Sequence, residues 1–204
     1  MSILCSEKLR KVKYAVILIL AVAIGIFTGR FITNYETRYL LSRQFCGTYR
    51  GIDVYKCGDI NELNFVGHAH MLEDAPQILV ECCSEIYFTG DELSVPTTGG
   101  SYGMALGLTQ DDRVFISTYS FNADVVYHEL LHAYDNAYKI TETPEFALVY
   151  GSESEYLPVA AIDASSHPQE FFAVAGATYL LEPVTLEFLA PKTYAYFEQL
   201  LGET

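Results

Sequence analysis

The sequence predicts an α+β domain, mainly helical with a small sheet, preceded by one N-terminal transmembrane helix. Three observations carry that prediction. A basic cluster, Lys8, Arg10, Lys11 and Lys13, precedes the apolar run Tyr14 to Gly29. Two segments rich in β-branched and aromatic residues, Glu85–Thr89 and Arg113–Tyr119, adjoin the turn residues Gly90-Asp91 and Asp111-Asp112, as strands do. From Asn122 onward, helical patterns and helix-start signals dominate.

The elements follow in order. Residues 1–13 form a basic tail and residues 14–32 the membrane span. Tyr14 to Gly29 as a helix covers roughly 24 Å, short of a ~30 Å hydrocarbon core. Phe31 and Ile32 complete the span, with Arg30 snorkelling to the interface. Basic residues ahead of the run place the tail in the cytoplasm and the remainder outside the cell. The alternative is a cleaved signal peptide and a secreted protein, although no small-x-small cleavage site closes the run. Residues 33–45 read as a stalk and 46–204 as the folded body. Cys46 and Cys57 flank two short strands around a turn, and an extracytoplasmic location allows a disulfide closing that hairpin, with Cys82 and Cys83 as the other candidates. Asn61 to Cys83 is helical in two pieces broken near Pro76, and Ser94 to Tyr102, with Pro96 and Gly99-Gly100, is loop. A helix capped by Asn122 or Asp124 runs to Tyr138, and Gly151 to Ser166 is irregular. Ser166 with Gln169 makes a capping box around Pro168, so a helix runs from there to Leu181. A last helix covers Pro191 to Leu201.

Composition bounds the function. The chain has 204 residues, half of them hydrophobic, enough for one domain with a self-sufficient core. Its net charge is −14, from 26 acidic and 12 basic residues. Four of the basic residues sit in the first thirteen, so the body is more acidic still, which argues against nucleic acid as a partner.

The chemistry concentrates in His128-Glu129-Leu130-Leu131-His132. On a helix, positions i and i+4 share a face, so both imidazoles can hold one zinc ion. Glu129, one step round, is placed to act as general base toward the attacking water. Catalytic zinc takes a third protein ligand. Glu170, at the start of the following helix, is the best candidate; Glu153 and Glu155 lie in the irregular stretch, and His167 reads as a capping residue. Asp135, one turn beyond His132, suits a supporting role beside the ligating imidazole better than direct ligation.

His128-Glu-Leu-Leu-His-Ala-Tyr-Asp135, Pro168-Gln-Glu-Phe-Phe-Ala173, Leu181-Glu-Pro-Val-Thr-Leu and Ala190-Pro-Lys-Thr-Tyr194 together resemble the catalytic domain of anthrax toxin lethal factor and its relatives, the ATLF-like group that includes secreted Pro-Pro endopeptidases. Ile86-Tyr-Phe-Thr89 and the Gly107-Leu to Arg113-Val-Phe-Ile-Ser117 segment are similar to that group's β-elements. The resemblance implies a gluzincin fold, a mainly helical zincin domain with a small sheet beside the HExxH helix. It implies zinc held by His128, His132 and Glu170, Glu129 as base, and a peptide or protein substrate lying along an edge strand. The candidate strand is Arg113, Val114, Phe115, Ile116 and Ser117.

Two positions depart from the group. Asp163 stands where a Tyr usually steadies the oxyanion, and Val174 replaces an acid four residues after the ligand Glu. Tyr156, or Tyr150, is the candidate to take the oxyanion part. The expected function is a membrane-anchored extracellular zinc metalloendopeptidase; the alternative is a zinc-binding surface interaction domain with weak or absent turnover.

Overall fold

Turn chemistry sets the first pair of strands. Arg50 and Gly51 both have positive φ, 50° and 92°, the geometry of a tight two-residue hairpin turn. They join β1 (Arg43–Tyr49) to β2 (Ile52–Cys57). The left-handed backbone at Arg50 is offset by its guanidinium, which donates to the carbonyls of Leu72, Glu73 and Ala75 and to Gln77 Oε1. Those carbonyls end α1 (Glu62–Asp74), so one cation satisfies a helix C-terminus. Asn61 caps the other end through the backbone N–H groups of Leu63 and Asn64. Pro76 separates α1 from the short α2 (Gln77–Val80), at the predicted break.

The computed structural model describes residues 41–96, 102–157 and 167–202. The predicted membrane span lies outside them; among the described residues no helix is long and apolar enough to cross a membrane. Arg43–Thr204 group into one compact unit. Its sheet adds β3 (Glu85–Thr89), β6 (Gly107–Gln110) and β7 (Arg113–Ser117), in the order β1-β2-β3-β7-β6. β2, β3 and β7 run parallel, while β1 and β6 are antiparallel edges. Parallel strands are buried on both faces. Ile86, Phe88, Val114 and Ile116 join the main core, while Tyr55, Tyr87 and Phe115 stack across the other face at 5.0 and 4.8 Å. A separate hairpin pairs β4 (Leu93–Pro96) with β5 (Tyr102–Ala105). Strands therefore occupy both ends of the segment expected to be loop.

The helical layer contains α3 (Asp124–Tyr138), α4 (Pro144–Glu153), α5 (Pro168–Leu181), α6 (Pro183–Leu189) and α7 (Pro191–Leu201). Four of these open on proline, which fits the first turn where its missing N–H has no helical partner. The expected α3, α5 and α7 are present; α4 and α6 are additional, and α4 takes in residues 151–153 of the stretch expected to be irregular. The cap predicted at Ser166 lies outside the described residues, and His167 occupies the cap position of α5. Glu153 is no metal ligand: its carboxylate accepts from the backbone N–H groups of Lys192 and Thr193 and from Thr193 Oγ1, closing the N-terminus of α7. α3 packs against α5 through a close approach at Gly176. A Cβ there would come within 2.6 Å of Leu131 Cδ1 and 2.8 Å of Phe197 Cε1.

The expected hairpin disulfide is absent. Cys46, Cys57, Cys82 and Cys83 are thiols, none of them bridged. Cys57 faces Arg43 in the ladder, whereas Cys46 sits in the bulge between Phe45 and Gly47, which face Tyr55 and Val54. At ~3.3 Å rise per residue that offset exceeds the ~4.4–6.8 Å Cα separation a bridge needs. Burial pushes the Cys57 thiol up to about 11 and Cys83 up to about 12, and raises Cys82.

Two outcomes follow. Iodoacetamide at pH 8, read by peptide mass mapping of folded protein, labels exposed Cys46 and spares Cys57, Cys82 and Cys83 until urea is added; equal labelling would contradict the fold. Gly176→Val overpacks the α3–α5 contact and lowers stability by about 1–3 kcal/mol, seen as a lower urea midpoint.

Candidate metal centre

α3 carries His128 and His132 one turn apart, and their rings meet edge-on, with centroids 4.7 Å apart at 79°. Their Nε2 atoms are 3.1 Å apart, so at most one carries a proton facing the other. Glu170, in the first turn of α5, places Oε2 3.4 Å from His128 Nε2 and Oε1 3.5 Å from His132 Nε2. These donors form a possible metal-holding group. Tetrahedral bonds of ~2.0–2.2 Å separate neighbouring donors by about 3.3–3.6 Å, and the separation of the imidazoles, like that of each imidazole from one Glu170 oxygen, falls within a few tenths of that. Two imidazoles and a carboxylate are also the donor set of a catalytic zinc site. The residues fit the group.

Electrostatics agree with the geometry. Burial pulls the His132 imidazole down, but its hydrogen bond to Glu170 and the charges of Glu129, Glu170 and Asp135 outweigh burial, and the net shift is upward. Hydrogen bonds from His128 and then His132 hold the Glu170 carboxyl well below the usual carboxylate range. A site that stabilises positive charge this way is suited to a cation.

Glu129, one step round α3 from His128, faces β6 and is only 5 % exposed. Its Oε2 lies 2.6 Å from Thr109 Oγ1 on β6. Gly107, on the same strand, has no side chain because Glu129 occupies that space: a Cβ would come within 2.7 Å of Glu129 Cδ. The three donors and Glu129 open onto a cleft of about 940 Å³. One wall is Met104 to Thr109, the other comes from Gln169, Val174, Ala177 and Thr178 of α5, and α3 forms the floor.

The remaining sequence candidates are distributed differently. Asp135 is buried, but its oxygens accept from the backbone N–H and hydroxyl of Thr141, both at 2.8 Å. It fixes the turn after α3 and reaches His132 through its charge. Tyr156 is 61 % exposed in the turn after α4, and Tyr150 packs on Phe146 and Phe171; neither lines the cleft. Asp163 is outside the described residues. Arg113–Ser117 is not an edge strand. β7 pairs with β3 on one side and β6 on the other, and Val114, Phe115 and Ile116 are core. The edge bordering the cleft is β6. Thr109 and Gly107 are site residues that no local sequence pattern marks, because their contacts with Glu129 span twenty residues or more.

No family model matches the sequence, and no curated protein does. Among solved structures, a Pro-Pro endopeptidase (PPEP-2) from Paenibacillus alvei is similar, with a TM-score of 0.61 and 21% identity over 72% of this chain and 96% of that one. This likeness establishes a shared fold.

Metal analysis of the purified protein should find one metal ion per chain. His132→Ala and Glu170→Ala bring metal to background, whereas His70→Ala, on exposed α1, leaves it unchanged. Chelation lowers the melting temperature of wild type, because a ligand bound to the folded state adds to its stability. Full metal content in Glu170→Ala would remove it as a ligand.

Proposed function

We propose that the chain is a zinc metalloendopeptidase, anchored by residues 14–32 with its catalytic domain outside the cell. The observation that carries the enzymatic reading is the convergence of His128, His132 and Glu170 beside Glu129 in an open cleft. The basic cluster ahead of an apolar run supports the anchor and its orientation.

In this reading His128, His132 and Glu170 hold the metal. Zinc would supply Lewis-acid polarisation of the scissile carbonyl and make water acidic enough to react near neutral pH. Glu129 accepts a proton from the attacking water and later donates one to the leaving amine. Asp135 anchors the end of α3, which keeps His132 in place. The peptide extends along the outer edge of β6, unpaired among the described residues, where main-chain hydrogen bonds give affinity and side-chain pockets give selectivity. Val174 contributes methyl groups to the facing wall. The name of the structural neighbour makes peptides with consecutive prolines the first to test.

A second reading, a zinc-holding surface domain without turnover, is favoured by Asp163. A carboxylate repels an oxyanion unless protonated.

The deciding measurement is cleavage of an internally quenched peptide library, including consecutive-proline sequences, by zinc-loaded protein. Wild type cleaves, and Glu129→Gln lowers the rate by roughly 10²–10⁴ while retaining its zinc. Full activity in Glu129→Gln sinks the mechanism. Peptide binding without cleavage in wild type selects the second reading.

A further inference from the structure

A glutamate side chain rotates about three bonds, so a general base needs something to hold its carboxylate. The hydrogen bond that holds Glu129 comes from another element. Thr109 Oγ1 lies 2.6 Å from Glu129 Oε2 and 2.9 Å from the Glu129 carbonyl oxygen. A hydroxyl has one proton to donate. The shorter separation is that of a charge-assisted O–H···O⁻ bond, so the proton goes to the carboxylate. The carbonyl contact seats the hydroxyl against the helix. Gly107, two residues earlier, brings the strand directly onto the glutamate, with a Cβ position within 2.7 Å of Glu129 Cδ. The strand thus closes that side to other rotamers.

From this arrangement we infer that Thr109 is the positioning residue of the general base, an inference that rests on Glu129 having that role. Thr109 acts through Glu129 rather than on substrate. Its strand is β6, whose register on β7 is fixed by Thr109 opposite Val114 and Leu108 opposite Phe115. The element that would receive the peptide backbone is therefore the one that aims the base. A buried carboxylate oxygen deprived of its donor would turn toward another partner.

The test uses the zinc-loaded full chain as wild type, Thr109→Val, Thr109→Ser and Thr109→Ala. The probe is the internally quenched peptide library, with crystal structures of wild type, Thr109→Val and Thr109→Ser. Thr109→Val, isosteric but without a donor, lowers kcat roughly ten- to hundredfold, while KM and zinc content stay within about twofold. Thr109→Ser recovers kcat to within about threefold of wild type. In the crystal structures the Glu129 carboxylate leaves its wild-type place in Thr109→Val and keeps it in Thr109→Ser. Unchanged kcat in Thr109→Val overturns the inference. So does a rise in KM at constant kcat, which would make Thr109 a peptide contact, or a loss that serine fails to rescue. If wild type cleaves no peptide, the proposed function falls, and crystallography still decides here: a Glu129 carboxylate unmoved in Thr109→Val overturns the positioning role. If Thr109→Val shows no melting transition, Thr109→Ala is read by the same measurements.

Discussion

The packing of α3 on α5 is the constraint on which the rest of the molecule depends. The two imidazoles share one helix, and their spacing follows from the 3.6-residue repeat. Glu170 has no such guarantee. Its distances of 3.4 and 3.5 Å to the two imidazoles exist only because α5 crosses α3 at one depth and in one register. Gly176 lets the helices approach at Leu131, while Phe172 and Phe197 fill the space behind them. The start of α5 is in turn fixed by Pro168, which puts Glu170 in the first turn, facing the histidines. A shift of one residue in either helix would rotate a donor away by about 100°.

The sheet supplies the other half of the site. Three parallel strands need both faces covered, and β7, between β3 and β6, is committed to the core. That leaves β6 as the edge beside the cleft. Its residues have two duties, since its outer edge, unpaired among the described residues, borders the cavity while Gly107 and Thr109 touch Glu129. The small side chain at one position and the hydroxyl at the other both follow from how closely the strand lies on α3.

The features legible in the sequence are those fixed by local geometry. HELLH was readable because i and i+4 positions on a helix need no tertiary information, and Glu170 because Pro168 marks the start of its helix. The break at Pro76 and strands β3 and β7 were readable from turn and β-branched chemistry. Pairing was not. Arg113–Ser117 has the composition of a strand, but whether it is an edge depends on which strand lies beside it. The cysteines on either side of a hairpin suggest a bridge until the bulge at Cys46 sets the register. α4 and α6 carried the same proline signal as α5 and α7, yet their exposed Leu148, Val184 and Phe188 blur the apolar face that would mark a helix. Thr109 was invisible because nothing local distinguishes it from any strand threonine.

Charge explains why the centre calls for a cation. The chain is strongly acidic, but much of that charge has a structural use: Glu153 closes α7, and Asp135 holds the turn after α3. The cleft keeps Asp124, Glu129 and Glu170, and no Lys or Arg is among its described lining residues. Carboxylates gathered in a partly buried cleft repel one another and lose hydration, a cost that falls when positive charge sits among them. The upward shift of His132 and the downward shift of Glu170 answer this in part, since each favours the charged form. A divalent ion answers it more fully, because it meets three donors at once with bonds a proton cannot share. Glu129, held from the side by β6, stays outside that donor set.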